Sequence, residues 1–588
     1  MRIAVIEFDK CKPKKCNYMC IKYCPRVRMG DETITINKET KKPIISEELC
    51  VGCGICVHKC PFGAIHIVNL PEELKTPVYQ YSENSFRLYR LPIPKENHVL
   101  GIIGSNGIGK TTALRILSSE IVPNFGDWNL KKLDKEKVLE YFRGSELQTY
   151  FERLETGIKA IMKPQYIDKI PKAVSGTVGK TLEKTDERGV SDELIKRLEM
   201  ENCLEKDVKN LSGGELQRLA IIVTMSREGD IYYFDEPSSY LDIYQRLNVA
   251  RSIRELAKEK TVIVVEHDLA VLDYLSDYVH ILYGVSGVYG IVSSPMGVRV
   301  GINMYLDGYL KDENVRFRSK RIEFDVLGEH QKSVGKTILK YPELVKKFRG
   351  FNLHTESGIL HEREIIGIIG PNATGKSTFV KMLAGIETPD NVEIETELKI
   401  AYKPQYIKKD FDGTIRELLR SVGGDDSGYY RSEIIEPLEL GRILDSDIKD
   451  ISGGELQRVA IAVCLTQEAD IYLLDEPSAY LDIEQRLNMA KLVRKKIENS
   501  EKCALVVEHD IVSVDYISDK TIVFSGDPGV EGFASQPLSM RDGMNRFLKD
   551  VGITFRRDHD TKRPRANKID SQLDREQKSI GEYYYIKK

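Results

Sequence analysis

The chain has 588 residues, enough for about three to four domains, and with 41% hydrophobic and 30% charged residues it has the makings of a large core, which excludes global disorder. Its 87 Lys and Arg against 90 Asp and Glu leave a net charge of −3, so no overall charge directs it to nucleic acid or to membranes. The opening MRIAVIEFDK lacks the apolar stretch of a secretory signal, and apolar runs such as Leu219–Met225 fall far short of the roughly 18 residues a spanning helix needs. The expectation is a cytoplasmic chain with no membrane contact of its own.

Eight of the eleven cysteines stand in the first sixty residues: Cys11, Cys16, Cys20, Cys24, Cys50, Cys53, Cys56 and Cys60. In a reducing compartment, structural disulfides are a poor reading of such a block and metal ligation a better one. The second run, Cys50-x2-Cys53-x2-Cys56-x3-Cys60-Pro61, has the bacterial ferredoxin spacing, whereas the first, Cys11-x4-Cys16-x3-Cys20-x3-Cys24-Pro25, is stretched. In that arrangement three close thiolates wrap one cluster and the fourth cysteine of each run reaches across to the other. Cys11, Cys16, Cys20 and Cys60 would then hold one 4Fe–4S cluster, and Cys50, Cys53, Cys56 and Cys24 the second. A pair of four-cysteine zinc sites is the alternative, but its knuckles pair as C-x2-C. Residues 1–28 also carry eight Lys or Arg against Glu7 and Asp9, which reads either as a solvated face or as a patch for docking on RNA.

The remainder is one unit written twice. GSNGIGKTT (104–112) recurs as GPNATGKST (370–378), KPQY (163–166) recurs at 403–406, and SGGELQR (212–218) recurs at 452–458. IYYFDEPSSYLDIYQRLN (231–248) is echoed at 471–488, and VVEHD occurs at 264–268 and 506–510. In both copies 47 residues separate the Gln of KPQY from the Ser of SGGE, and 23 separate that Ser from the Asp of the DEP run.

Each Gly-rich element follows an apolar strand (Val99–Ile103; Ile365–Ile369) and opens a helical run, the setting of a true P-loop. Gly104, Asn106, Gly107 and Gly109, with Gly370, Asn372 and Gly375 in the second copy, shape a loop whose backbone N–H groups close around phosphates. Lys110 and Lys376 neutralise the β/γ-phosphates, Thr111 and Ser377 hold Mg²⁺, and Thr112 and Thr378 complete the motifs. Asp235 and Asp475 end apolar strands, where a Walker-B carboxylate belongs beside magnesium. Ala373 replaces Gly107 in the second copy, a small departure that leaves the motif intact.

On LSGGE (211–215), ISGGE (451–455) and the motifs around them, residues of about 75–550 resemble the ATP-binding cassette (ABC) family. The resemblance implies that Glu236 and Glu476 polarise the attacking water, that His267 and His509 contact the γ-phosphate, and that Gln165 and Gln405 sense magnesium and the water. It further implies head-to-tail pairing, in which Ser212, Gly213, Gly214 and Glu215 close the site built on Lys376, and Ser452, Gly453, Gly454 and Glu455 the site built on Lys110. Adenine would stack on Tyr81 or Phe86 in the first copy and on Phe348 or Phe351 in the second, each of which reads equally well as a core aromatic.

The copies differ in one stretch: 55 residues separate Lys110 from Gln165, but 29 separate Lys376 from Gln405. The surplus predicts a helix–loop–helix insertion over about 130–158, with Val138, Leu139 and Phe142 at helical spacing, Gly144 as breaker and Ser145 as N-cap of the second helix. An insertion in one copy alone reads as a docking element. Two Arg-rich strips, NVRFRSKR (314–321) and FRRDHDTKRPRANK (555–568), read as hinges bracing the cassettes, and could also meet RNA phosphates.

The fold class expected is α/β: a ferredoxin-like di-cluster domain (1–74), a first nucleotide-binding domain (75–310), a hinge (311–330), a second nucleotide-binding domain (331–550) and a C-terminal hinge (551–588). Over essentially its whole length this arrangement resembles the RNase L inhibitor-type ABC ATPases of the E subfamily, the ribosome-recycling factors of archaea and eukaryotes. The resemblance implies a monomeric ATP hydrolase with Mg²⁺ and two 4Fe–4S clusters. It would act on the ribosome, through the small subunit, rRNA and ribosomal proteins, beside a release-factor-like protein and with a link to initiation factors. A transporter ATPase does not suit the ferredoxin module, a chromosome ATPase needs coiled coils that the 47-residue spacers exclude, and a redox enzyme driven by ATP is the remaining rival.

Overall fold

The computed structural model describes the chain except residues 1, 39, 47–48, 70–75, 130–134, 166, 319–320, 323, 325–334, 395–396, 406, 408 and 585–588. The expected boundary at 74/75 and much of the 311–330 hinge lie outside the described residues. The chain divides into two compact units. One comprises Met1–Ser239, Arg251–His267 and Leu275–Ile322, and the other Tyr240–Ala250, Asp268–Tyr274 and Glu323–Lys588. Among the described residues no helix is long and apolar enough to cross a membrane.

At the start of the first unit, strand Arg2–Ile6 runs antiparallel to Ile65–Asn69, and Ile34–Ile36 pairs with Pro43–Ile45. Short helices Pro13–Cys16, Met19–Tyr23 and Ile55–Lys59 carry cysteines. The apolar core is small, Ala4, Ile6, Ile34, Ile45 and Ile65 together with Cys20, Cys24 and Cys56. A domain of this size depends on metal-ligand bonds for much of its stability. Asn84, with φ of 54°, ties it to the cassette that follows: its carbonyl accepts from Ile6 N at 2.7 Å and its side-chain oxygen from Ile45 N at 2.7 Å.

The cassette sheet of this unit runs in the order Tyr79–Gln80, Arg87–Tyr89, Tyr289–Val292, Tyr278–Val285, Val99–Ile103, Thr261–Val265, Ile231–Asp235, Ala160–Lys163. From Tyr278–Val285 through Ala160–Lys163 the strands are parallel. Val99–Ile103, Ile231–Asp235 and Thr261–Val265 are buried at every position, as strands covered on both faces must be, which explains their unbroken apolar runs. The P-loop, Asp235 and His267 all follow the carboxyl ends of these strands, the edge where open α/β sheets bind ligands. The second unit repeats the order with Leu344–Phe348, Phe351–Thr355, Glu531–Ala534, Lys520–Ser525, Ile365–Ile369, Cys503–Val507, Ile471–Asp475 and Ile400–Lys403.

Within 130–158 stand helices Lys135–Tyr141 and Glu146–Glu155, packed through Val138, Phe142, Leu147, Tyr150 and Phe151. Ser145 occupies the N-cap position, but its hydroxyl donates back to the Phe142 carbonyl at 2.6 Å instead of capping. Gly144 makes the reversal at φ of 74°.

The Arg-rich strips form small hairpins. Val315–Arg316 pairs with Tyr309–Leu310, and Phe555–Arg557 with Pro564–Ala566. Arg563 has no solvent exposure and lies 3.1 Å from Asp273, while Arg557 is paired with Asp515. Both arginines are paired with carboxylates of their own unit.

Candidate nucleotide and cluster sites

In the first 65 residues the helices and the strand ends bring the eight cysteines into two groups. Cys11, Cys16, Cys20 and Cys60 line one cavity with Pro13, Tyr18 and Phe62. Burial, then the neighbouring Cys60 and Cys16, push the Cys11 thiol up to about 11; burial, with Cys11, Cys16 and Cys60 nearby, pushes Cys20 to about 12. Cys56 rises to about 11 through burial and the proximity of Cys50, Cys53 and Cys24. In each group the fourth cysteine therefore comes from the other run. Among the described residues no three His, Cys, Asp or Glu approach closely enough to hold a single ion. Four thiols set around a wider cavity fit a cluster instead, since bound iron removes the protons that burial otherwise holds on. Backbone N–H groups of Ala64 and Gly52 donate to Cys60 and Cys50 sulfur at 3.4 Å, orienting both.

Each P-loop runs from the central strand into a helix, Lys110–Leu117 or Lys376–Leu383, with Gly109 and Gly375 at φ of 98° and 95° as N-cap. A Cβ on Gly109 would lie 2.6 Å from the Phe86 ring, and one on Gly375 3.1 Å from Phe351. Phe86 and Phe351 thus support the loops from beneath. Tyr81, 47% exposed, instead shares a hydrogen bond with the Thr112 hydroxyl at 2.9 Å, and Phe348 is 42% exposed. Ala373 adopts φ of 59°, close to the 71° of Gly107, so the two loops share one shape despite the substitution.

Lys110 Nζ donates to the Gly104 and Ser105 carbonyls, each at 2.8 Å, and Lys376 Nζ to those of Gly370 and Pro371 at 3.0 and 2.6 Å. Both ammonium groups lie along their own loops, where phosphates would be met. In the second unit the Asn372 backbone N–H donates to the Asp242 carboxylate at 2.7 Å, an anion on a loop built for anions.

The Thr111 hydroxyl donates to Asp235 Oδ2 at 2.8 Å. Asp235 Oδ1 and both carboxylate oxygens of Asp475 are buried without a hydrogen-bond partner. Burial and the charge of Glu236 push Asp235 up to about 6, and burial likewise raises Asp475. Orphaned carboxylate oxygens beside a P-loop hydroxyl are the donor set of a hard cation, so the residues present fit magnesium.

Glu236 and Glu476 follow directly, at φ of 49° and 47°. A non-glycine residue held there costs about 1–3 kcal/mol, a strain concentrated at functional sites. His509 Nε2 lies 3.0 Å from Glu476 Oε1, and Gln405 donates to the same oxygen at 2.7 Å. In the first copy His267 stands 3.5 Å from Glu236. Burial alone would raise these carboxyls, but the histidine charge and hydrogen bond outweigh it, holding Glu476 down to about 2 and Glu236 well below the usual range. Both are ionised at neutral pH, as acceptors of a water proton must be. Gln165 follows the strand that ends beside Asp235.

Ser212 and Ser452 N-cap the helices Gly213–Ser226 and Gly453–Thr466 in capping boxes with Glu215 and Glu455. Gly213, Gly214, Gly453 and Gly454 form the first turns. The first box carries additions that sequence reading missed: Lys206 Nζ and the Cys203 thiol donate to Glu215 at 2.8 and 3.1 Å, where the second copy has Ser446 and Ile443.

Three family models match the chain. "ABC transporter" covers residues 93–239 and 353–479, "Possible Fer4-like domain in RNase L inhibitor, RLI" covers 1–32, and "4Fe-4S binding domain" covers 43–66. The chain is 48% identical to Translation initiation factor RLI1 of Saccharomyces cerevisiae, over all of this chain and 98% of the relative. It is 47% identical to ABC transporter E family member 1 of Arabidopsis thaliana, over all of this chain and 99% of that one. A solved structure described as a model of ribosome-bound archaeal Pelota and ABCE1 superposes with a TM-score of 0.93 at 56% identity, covering all of this chain and 99% of that chain. The domains so matched bind two 4Fe–4S clusters and ATP with Mg²⁺, and the tandem cassettes hydrolyse ATP.

Proposed function

The chain belongs to the RNase L inhibitor-type E family of ABC ATPases, and from that premise we propose that it is a cytoplasmic ribosome-recycling ATPase that splits ribosomes into subunits after termination or rescue. The observation that carries this reading is the full-length likeness to a structure described as ribosome-bound, with every nucleotide motif present in both copies. Its partners would be the ribosome, through small-subunit rRNA and proteins, and a release-factor-like protein, with a further link to initiation factors. The chain would act as a monomer.

In this proposal Lys110 and Lys376 neutralise the β/γ-phosphates, Thr111, Ser377, Asp235 and Asp475 hold magnesium, and Gln165 and Gln405 sense it. Glu236 and Glu476 take a proton from the attacking water while His267 and His509 orient the γ-phosphate. Ser212, Gly213, Gly214 and Glu215, and their counterparts Ser452, Gly453, Gly454 and Glu455, complete the opposite site on closure. ATP contacts made only in the closed state draw the cassettes together, and hydrolysis releases them. The eight N-terminal cysteines, in the crossed grouping described above, hold the clusters. These supply rigidity that lets the N-terminal domain serve as a lever. Tyr81 is the base-stacking residue of the first cassette, with Phe86 supporting the loop. The domain limits proposed are those expected from the sequence.

Sedimentation of purified ribosomes with anaerobically prepared protein, a release-factor partner and ATP tests the proposal. Free small and large subunits are expected, and Lys110→Ala or Lys376→Ala should abolish them. Intact ribosomes with no co-sedimenting protein under any nucleotide would reject the reading.

A further inference from the structure

Both repeats bury a lysine where no nucleotide can reach it. Lys163 and Lys403 are each 1% exposed, at the last position of the strands Ala160–Lys163 and Ile400–Lys403. Parallel pairing sets them opposite Phe234 and Leu474, the residues just before the Walker-B aspartates. Lysine is among the residues least often fully buried, and a strand so enclosed would be more stable with an apolar side chain there. The same costly placement kept in both copies of the repeat points to a task.

The contacts identify it. Lys163 Nζ donates to the Asp235 carbonyl at 3.0 Å, and Lys403 Nζ to the carbonyls of Asp475 and Glu476 at 2.8 and 3.1 Å. From the opposite side Gln217 Nε2 donates to the Glu236 and Pro237 carbonyls at 2.8 and 2.9 Å, and Gln457 does the same for Glu476 and Pro477 at 2.8 and 3.0 Å. Three consecutive carbonyls of the turn that forces the glutamate into left-handed backbone are therefore gripped by two side chains. Because φ at the glutamate is positive, the direction of its side chain is set by how that turn is held. One residue, a proline with its own φ locked, separates each lysine from Gln165 or Gln405.

We propose that Lys163 and Lys403 are positioning residues for ATP hydrolysis, holding the backbone of Glu236 and Glu476 in aim and making each glutamate one mechanical unit with the glutamine two residues beyond the lysine. This rests on the role given above to the two glutamates. A displacement of either glutamine on meeting nucleotide is passed through the proline and the lysine to the turn that carries the glutamate. Nucleotide affinity does not depend on the link, because each lysine is buried and its ammonium group is spent on backbone carbonyls of the turn.

The test uses the full, cluster-loaded chain with Lys163→Met and Lys403→Met combined, which keeps an unbranched apolar stem and removes the donor. Steady-state ATP turnover should fall about tenfold, equivalent to ~1.4 kcal/mol of transition-state stabilisation, with KM and the dissociation constant for ADP within about twofold. Placed on Glu236→Gln/Glu476→Gln, the lysine changes should add no further loss to the residual turnover, because they act through the glutamates. Unchanged turnover would overturn the proposal, as would a loss of ADP binding in step with turnover, or an equal further loss in the glutamate background. If the methionine variant does not fold, Lys163→Gln/Lys403→Gln, which retains a donor, should show intermediate turnover. Failure of that variant to fold as well would mark the lysines as folding residues and overturn the proposal. Full turnover in Glu236→Gln/Glu476→Gln alone would strike the glutamate role itself, a result distinct from any failure of the lysines.

Discussion

Asp273 and Asp515 hold the same place in the two repeats, each six residues past the histidine of its VVEHD run, and both receive arginines from the C-terminal hairpin. Arg565 donates through two nitrogens to Asp273 at 2.6 and 2.9 Å, with Arg563 at 3.1 Å from the same carboxylate, and Arg557 and the Tyr584 hydroxyl meet Asp515. Asp273 is 1% exposed and Arg563 not at all. Arginine's fork suits such bidentate pairing, and its charge cannot be shed when a partner is lost.

Asp273→Ala should therefore destabilise the second unit by about 3–5 kcal/mol, the usual consequence of stranding a buried charge. Replacing the whole cluster, with Arg563→Leu and Arg565→Leu added, should recover much of that loss. Urea unfolding of the variants measures both. A loss below about 1 kcal/mol for Asp273→Ala alone would mean that the arginines find other partners.

A pH dependence confined to the first repeat follows from His280, which is fully buried. Its Nε2 accepts from Ile93 N at 3.1 Å and its Nδ1 faces the Ser293 carbonyl at 2.7 Å, an arrangement that needs the neutral ring. Burial lowers its pKa from 6.5 to about 4. Between those values the unfolded chain binds the proton and the folded chain does not, so stability is full above pH 6.5 and falls as pH drops toward 4. From pH 7 to pH 5 the loss should be about 2 kcal/mol. His280→Gln should remove that component from the pH dependence of unfolding, while the second repeat, with Ile522 at the equivalent place, never had it. An unchanged pH profile in the variant would refute the assignment.

The nucleotide motifs and the doubling of the cassette were legible because P-loop, signature and Walker-B chemistry each needs fixed residue types at fixed spacing within one segment. Lys163 was in view as part of KPQY, yet nothing local marks it as buried: its burial comes from pairing with Ile231–Asp235, some seventy residues on. The arginines of 555–568 look like a solvated strip because their partners, Asp273 and Asp515, lie on distant helices. Phe86 and Tyr81 are both aromatics ahead of a P-loop, and only the close packing of Phe86 on Gly109 separates a support from an exposed ring. Local chemistry was readable; burial set by long-range pairing was not.

Removing one cluster ligand tests the crossed grouping. Cys56 is 7% exposed and its neighbours are Cys50, Cys53 and Cys24. Cys56→Ser should halve the iron content, from about eight to about four atoms per chain, while ADP binding to the cassettes persists. The informative partner variant is Cys60→Ser. If Cys60 serves the group of Cys11, Cys16 and Cys20, the double variant should lose nearly all iron; if both belonged to one cluster, it would retain the four of the single variant. Iron assay with electron paramagnetic resonance of the reduced protein separates the two results.

The strongest demand falls on the two glutamates. Glu476 shares one carboxylate oxygen with His509 and Gln405, and these contacts outweigh burial and hold its carboxyl down to about 2. Glutamine in its place keeps the shape and most hydrogen bonds but cannot accept a proton from water. The Lys110 and Lys376 ammonium groups, and the carboxylates of Asp235 and Asp475, are untouched by the change. Glu236→Gln/Glu476→Gln should therefore bind ATP with unaltered affinity and turn over at least about 100-fold more slowly, the span general-base catalysis commonly supplies. The variant should also retain ATP through gel filtration, since the nucleotide leaves readily only after hydrolysis. Rapid release of bound ATP, or turnover within about threefold of the parent chain, would place the base elsewhere, and His267 and His509 would be the next residues to replace.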